Sequence, residues 1–202
     1  MNKFYRETAD IFRLKLPFES VYTSVFLVKD EKKAYLVDCA TKPKDVNTGI
    51  LPALSAIGYA LSDIEGLVLT HRHDDHAGGL SRILELSPHL PIITDTRQLS
   101  DALFTYSLPG HTKDTIGLLD VRTKTLISGD GLQGAGVDVY RCSLDSPKDY
   151  LETLSKIEAD ERIENILFSH AYEPWLADKI FSRDAVLACI KECSKYVERS
   201  KT

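Results

Sequence analysis

Three histidines and a carboxylate are set out as His-x-His-x-Asp-His in His71-Arg72-His73-Asp74-Asp75-His76, directly after the apolar run Gly66-Leu67-Val68-Leu69-Thr70. Imidazole nitrogens and carboxylate oxygens are the donors that borderline divalent cations such as zinc prefer. The spacing packs four of them into a stretch that can curl around a cation. The chain has six histidines in all, and two of the other three stand beside strand-like runs. His111 lies in Leu108-Pro109-Gly110-His111-Thr112, ahead of the apolar run 116–121, and His170 lies in Leu167-Phe168-Ser169-His170-Ala171, just after the run 163–168. Asp130 ends a further strand in Ile127-Ser128-Gly129-Asp130-Gly131. The neighbouring glycines permit sharp turns, so these side chains can face a shared cleft at one sheet edge. His89, between Pro88 and Leu90, has no such setting and reads as a surface residue.

The number of donors sets the number of metals. Five histidines and two aspartates are too many for one tetrahedral ion. They suffice for two divalent ions with three or four protein ligands each, provided one carboxylate bridges. Zinc suits the set best, and manganese or iron is compatible with it.

Positioning these residues requires alternating strands and helices. Residues 21–28 and 34–38 flank the charged turn 29–33 and read as a β-hairpin. Residues 43–59 have apolar Val46, Ile50, Leu54 and Ile57 at helical spacing, with Gly58 near the end. A strand at 66–70 delivers the chain into the histidine motif, a helix follows at 77–86, and a strand at 90–94. Between His76 and His111 the sequence holds one helix, one strand and little more. Runs 116–121 and 125–128 form a second hairpin. Ser146-Pro147-Lys148-Asp149 opens a helix to about residue 159, with Pro147 in its first turn. A strand at 163–168 and a helix at 182–199 complete an α/β layered protein.

Composition narrows the function classes. The 202 residues, 43% hydrophobic and 27% charged, are enough to bury one core, and no Pro-, Gly- or Ser-rich linker divides them, so a single domain 1–202 is expected. A net charge of −5 without a basic stripe disfavours nucleic acid as partner. No run approaches the roughly 20 apolar residues of a membrane span. The start, Met1-Asn2-Lys3-Phe4-Tyr5-Arg6-Glu7, lacks the apolar stretch of a secretory signal. Cys39, Cys142, Cys189 and Cys193 are irregularly spaced and read as reduced thiols of a cytoplasmic protein, the last two as core packing in a helix.

These motifs, in this order, resemble those of the metallo-β-lactamase fold superfamily, and the resemblance covers most of the chain. It is carried by the motif at 71–76, His111 in Pro-Gly-His-Thr, Asp130 in Ser-Gly-Asp, His170 in Ser-His-Ala, and Asp38 closing Tyr35-Leu36-Val37-Asp38. It implies a four-layer αββα sandwich, two mixed β-sheets with helices outside and the metals at one edge. It further implies that His71, His73 and His111 hold one ion, that Asp75, His76 and His170 hold the other, and that Asp130 bridges. Asp38 would accept hydrogen bonds that orient the ligand loop.

The activity so implied is hydrolysis of an ester, thioester, lactone, amide or phosphoester by a metal-bridging hydroxide, with Asp75 passing a proton to the leaving group. Two dications against Asp75, Asp130 and hydroxide leave about +1 at the metals, which would draw in a small anionic substrate. Arg72, Lys113, Tyr140, Tyr172 and Trp175 are the candidates for touching it, with Tyr140 in the glycine-bearing loop 131–141.

Departures from known branches sharpen the expectation. Zinc β-lactamases place cysteine or serine where Asp130 stands, which argues against antibiotic hydrolysis. The ligand set resembles that of glyoxalase II, but only about 30 residues follow His170, too few for a glutathione-binding C-terminal domain. Gln133 replaces the tyrosine of acyl-homoserine lactonases, His73 the glutamate of flavodiiron proteins, and the chain has no room for the added segments of the family's nucleases. The short stretch after His76 leaves one flank of the cleft open or closed by a second subunit, as in a homodimer. The competing reading within the same fold is a mononuclear iron persulfide dioxygenase.

Overall fold

Apolar side chains alternate with exposed ones at Leu14, Leu16 and Phe18 against Lys15 and Pro17, and this period of two builds the strand β2 (Ile11–Phe18). The computed structural model describes residues 3–31, 33–132, 144–172 and 177–199. They form two compact units, 1–94 and 95–202.

The first unit carries a six-stranded sheet in the order β1-β2-β3-β4-β5-β6. The other strands are β1 (Tyr5–Arg6), β3 (Val21–Asp30), β4 (Lys33–Val37), β5 (Gly66–Val68) and β6 (Ile92–Ile93). Strands β1 to β4 pair antiparallel, whereas β4–β5 and β5–β6 are parallel. Parallel neighbours need crossovers, and helical segments supply them. The first runs as α1 (Pro43–Asp45), a π turn over Val46–Ile50 and α2 (Leu51–Ala56). Pro52 has no N–H for the carbonyl four residues back, and just before it the Leu51 N–H reaches Val46 O, one residue further than in an α-helix. Val46, Ile50 and Leu54 pack with Leu14, Leu16, Leu27, Leu36 and Leu67 in this unit's core.

The second crossover differs from expectation. Its helix begins at Asp74 rather than residue 77, and divides into α3 (Asp74–Ala77) and α4 (Leu80–Leu86). Asp75 and His76 therefore sit in a helical turn. Glycine is required at this division: a Cβ at Gly78 would lie 1.7 Å from Thr41 O and 2.3 Å from Thr41 C. Gly78 has the helical φ of −64°, where alanine is ordinarily worth about 1 kcal/mol over glycine. Packing against rigid backbone reverses that sign, so Gly78→Ala should destabilise by about 2–3 kcal/mol. A lower urea midpoint at unchanged slope checks this, and a more stable variant would refute it.

The second unit carries a five-stranded sheet in the order β11-β10-β9-β8-β7. Its strands are β7 (Leu103–Ser107), β8 (Ile116–Asp120), β9 (Thr125–Gly129), β10 (Asn165–Tyr172) and β11 (Ala177–Phe181). Only β9 and β10 pair in parallel, and α5 (Pro147–Ala159) lies between them in sequence. Ser146 caps α5 by accepting from the Asp149 N–H. Tyr150, Leu154 and Ile157 from α5 pack with Val186, Cys189, Ile190 and Cys193 from α6 (Arg183–Arg199) over Leu119, Leu126, Ile166 and Phe168.

Three expectations are corrected. Strand β7 occupies the stretch after His76 that was read as holding one strand only, and it pairs along the whole of β8. Strand β10 runs on to Tyr172, so His170 lies inside a strand rather than after one. Strands β1, β2 and β11 were not anticipated. Among the described residues no helix is long and apolar enough to cross a membrane.

Candidate metal centre

In the first unit the ends of β4 and β5 deliver the candidate ligands. Asp38 follows β4 directly, in a left-handed conformation with φ 61°, and is fully buried. Its Oδ1 accepts the Thr70 N–H at 2.8 Å, and the Thr70 hydroxyl donates to the same carboxylate at 2.9 Å and 3.0 Å. Its Oδ2 lies 2.7 Å from His76 Nδ1. A carboxylate only accepts, so the proton of that contact sits on Nδ1 and the lone pair of His76 is left on Nε2. That nitrogen is 3.4 Å from Asp75 Oδ2. Thr70 Oγ1 is also 3.2 Å from His71 Nδ1. Having given its own proton to Asp38, the hydroxyl accepts from that ring and leaves the His71 lone pair on Nε2.

His71 Nε2 and His73 Nδ1 are 3.0 Å apart. Two ligands on a tetrahedral ion with bonds of about 2.0–2.1 Å are separated by about 3.3 Å, so this pair fits a shared cation. His71 and His76 are buried, whereas His73 is exposed.

Cys39 completes this arrangement. Its backbone N–H and its thiol both donate to the His76 carbonyl, at 2.8 Å and 3.2 Å. Burial, and then the Asp38 charge, push its pKa up to about 12, so the thiol keeps its proton across the neutral range. Neither Thr70 nor Cys39 was assigned a role from the sequence. The signal for Thr70 was a hydroxyl on the last residue before the ligands, which needs a partner once buried. The side chain of Cys39 gave none.

In the second unit three donors gather. His111 follows a turn in which Gly110 takes φ 141°, a region closed to residues with a Cβ. The α5 cap is tied to this turn through Ser146 N–H to Gly110 O and Asp145 N–H to His111 O. Asp130 follows β9 and His170 lies on β10, at neighbouring positions of the parallel pair. Asp130 Oδ2 is 3.8 Å from His111 Nε2, and Oδ1 is 3.6 Å from His170 Nε2. Each carboxylate oxygen thus faces a different imidazole. All three groups are buried.

The expected substrate contacts are less defined. Arg72 and Lys113 are exposed beside candidate ligands. Tyr172 has its backbone in β10, but its side chain lies outside the described residues, as do Gln133, Tyr140, Cys142 and Trp175. His89 is exposed, as expected, and Cys189 and Cys193 are buried in the core.

Residues 20–99 match the family model described as the metallo-beta-lactamase superfamily. The Caenorhabditis elegans beta-lactamase-like protein 2 homolog is 29% identical over 164 residues, covering 70% of this chain and 54% of that protein. The hydroxyacylglutathione hydrolase of Pectobacterium atrosepticum is 30% identical over 150 residues, covering 66% and 57%. The chain thus spans little more than half the length of these curated relatives. Among solved structures, the metallo-beta-lactamase FIM-1 of Pseudomonas aeruginosa aligns over 98% of this chain and 96% of its own, with TM-score 0.75 and 15% identity. Likeness at that identity speaks for the fold: two mixed sheets with helices, shared nearly end to end.

Proposed function

Because the chain belongs to the metallo-β-lactamase superfamily, we propose that it is a binuclear metal-dependent hydrolase acting, as a single domain, on an ester, thioester, lactone or phosphoester bond in a small anionic substrate. In this reading His71, His73 and His111 would hold one ion, Asp75, His76 and His170 would hold the other, and Asp130 would serve both. The observation that carries it is the Asp130 carboxylate, whose two oxygens face two different imidazoles. A carboxylate shared by two ions requires a free-facing oxygen on each side, and this disposition offers one. Two divalent ions so held, zinc first among them, would supply Lewis acidity toward a substrate oxygen and lower the pKa of water.

The chain's own residues prepare that chemistry. Asp38 and Thr70 fix the protons of His76 and His71 on the nitrogens that face away from the proposed ions. Asp75, more exposed than Asp130 at 14% against 7%, takes a proton from the attacking water and passes it to the leaving group. Arg72 and Lys113 add positive field for an anionic substrate. The relatives named hydroxyacylglutathione hydrolase make acylglutathione thioesters the first substrates to try.

Elemental analysis of purified protein, followed by a panel of thioesters, lactones and phosphodiesters on the metal-replete sample, tests the reading. The expected result is about two equivalents of divalent metal and hydrolysis that chelation abolishes. Hydrolysis at full rate after the metal has been stripped would overturn it. One equivalent of iron, with oxygen consumed in the presence of a persulfide, would move the assignment to the dioxygenase branch.

A further inference from the structure

The carbonyl of His76 receives two donors from a single residue, the Cys39 N–H at 2.8 Å and the Cys39 thiol at 3.2 Å. Helix α3 ends one residue later, so this carbonyl lies in a last turn, where helical N–H partners run out. The residue that answers it belongs to a strained turn. Asp38 and Ala40, on either side of Cys39, hold left-handed conformations with φ 61° and 65°. Non-glycine residues keep such conformations only where the surroundings over-determine them. Here the turn makes two grips on one histidine: the Asp38 carboxylate holds the ring at Nδ1, and Cys39 holds the backbone from which that ring projects.

We propose that Cys39 is a positioning residue for His76, its thiol proton fixing the peptide that aims Nε2 at an ion. The ion itself rests on the hydrolase reading above, whereas the hold on His76 does not. A thiol that merely filled core volume would tolerate alanine at least as well as serine. A thiol acting as donor is replaced by the serine hydroxyl and lost with alanine.

The test compares wild type, Cys39→Ser and Cys39→Ala. Long-range proton–nitrogen NMR of the metal-free proteins reads the His76 imidazole. The Nδ1–H tautomer set by Asp38 is expected in all three proteins, with the Nδ1 proton exchanging with water about 10-fold faster in C39A than in wild type and C39S. Titration with zinc should then show the His76 ion bound about 10-fold more weakly in C39A, the ion on His71 and His73 unchanged, and C39S close to wild type. Equally slow exchange of the Nδ1 proton in wild type and C39A, or equal losses in C39S and C39A, overturns the proposal. If wild type takes up no metal, the hydrolase reading fails, and the proton-exchange comparison still decides the role of Cys39.

Discussion

Asp130→Asn is expected to leave a folded protein that retains about one metal ion per chain and hydrolyses its substrate at least ~100-fold more slowly. The substitution is nearly isosteric, and Asp130 sits in a turn after β9 whose backbone Asn accommodates. What changes is the donor set. The carboxylate presents one oxygen toward His111 and the other toward His170. Asparagine keeps one carbonyl oxygen and replaces the other with an NH2 group, which has no lone pair to offer a cation. One of the two proposed ions loses its shared ligand, and the charge at the site rises by one. A 100-fold loss corresponds to about 2.7 kcal/mol of transition-state stabilisation. Metal per chain by elemental analysis and kcat/KM on the best substrate decide the matter. An Asp130→Asn protein with two bound ions and wild-type turnover would remove the carboxylate from the site.

The candidate ligands stood out in the sequence because coordination chemistry is written in residue type and spacing. Five of the seven are histidines in a chain that has six, so the donors stand out against the background. The hairpin at β3 and β4 and the cap at Ser146 were legible for a similar reason, since both depend on neighbours in sequence. The misses depend on contacts that the local pattern does not name, some of them distant in sequence. Strand β2 was obscured by Arg13, a buried cation that pairs with Glu7 and lies over the Phe26 ring. Strand β7 is short, and its pairing with β8 supplies what its own sequence does not announce. The need for glycine at position 78 is set by the Thr41 carbonyl, 37 residues away, and the use of Cys39 by the His76 carbonyl at a similar distance. Periodicity finds faces, but it does not find which backbone atom will need a donor.

Asp38 separates those two kinds of information, and two substitutions there should give opposite failures. Asp38→Ala is expected to cost about 3–5 kcal/mol of stability. It strips the acceptor from the Thr70 N–H, the Thr70 hydroxyl and His76 Nδ1, all buried, and puts alanine at a φ of 61°. Asp38→Asn avoids most of that loss, because Asn adopts the left-handed region readily and its carbonyl still accepts from Thr70. Its amide must then face His76 at the position of Oδ2. An N–H beside Nδ1 forces that nitrogen to accept, and the imidazole proton moves to Nε2, where the lone pair for the metal should be. The asparagine protein should therefore fold, bind the His76 ion about 10- to 100-fold more weakly, and lose hydrolysis in step. Urea unfolding of both variants and zinc titration of the asparagine form measure the two effects separately. Wild-type zinc affinity in Asp38→Asn would mean that the proton on His76 is set by something other than this carboxylate, and the chain of bonds from Asp38 through the histidine to the ion would be broken at its first link.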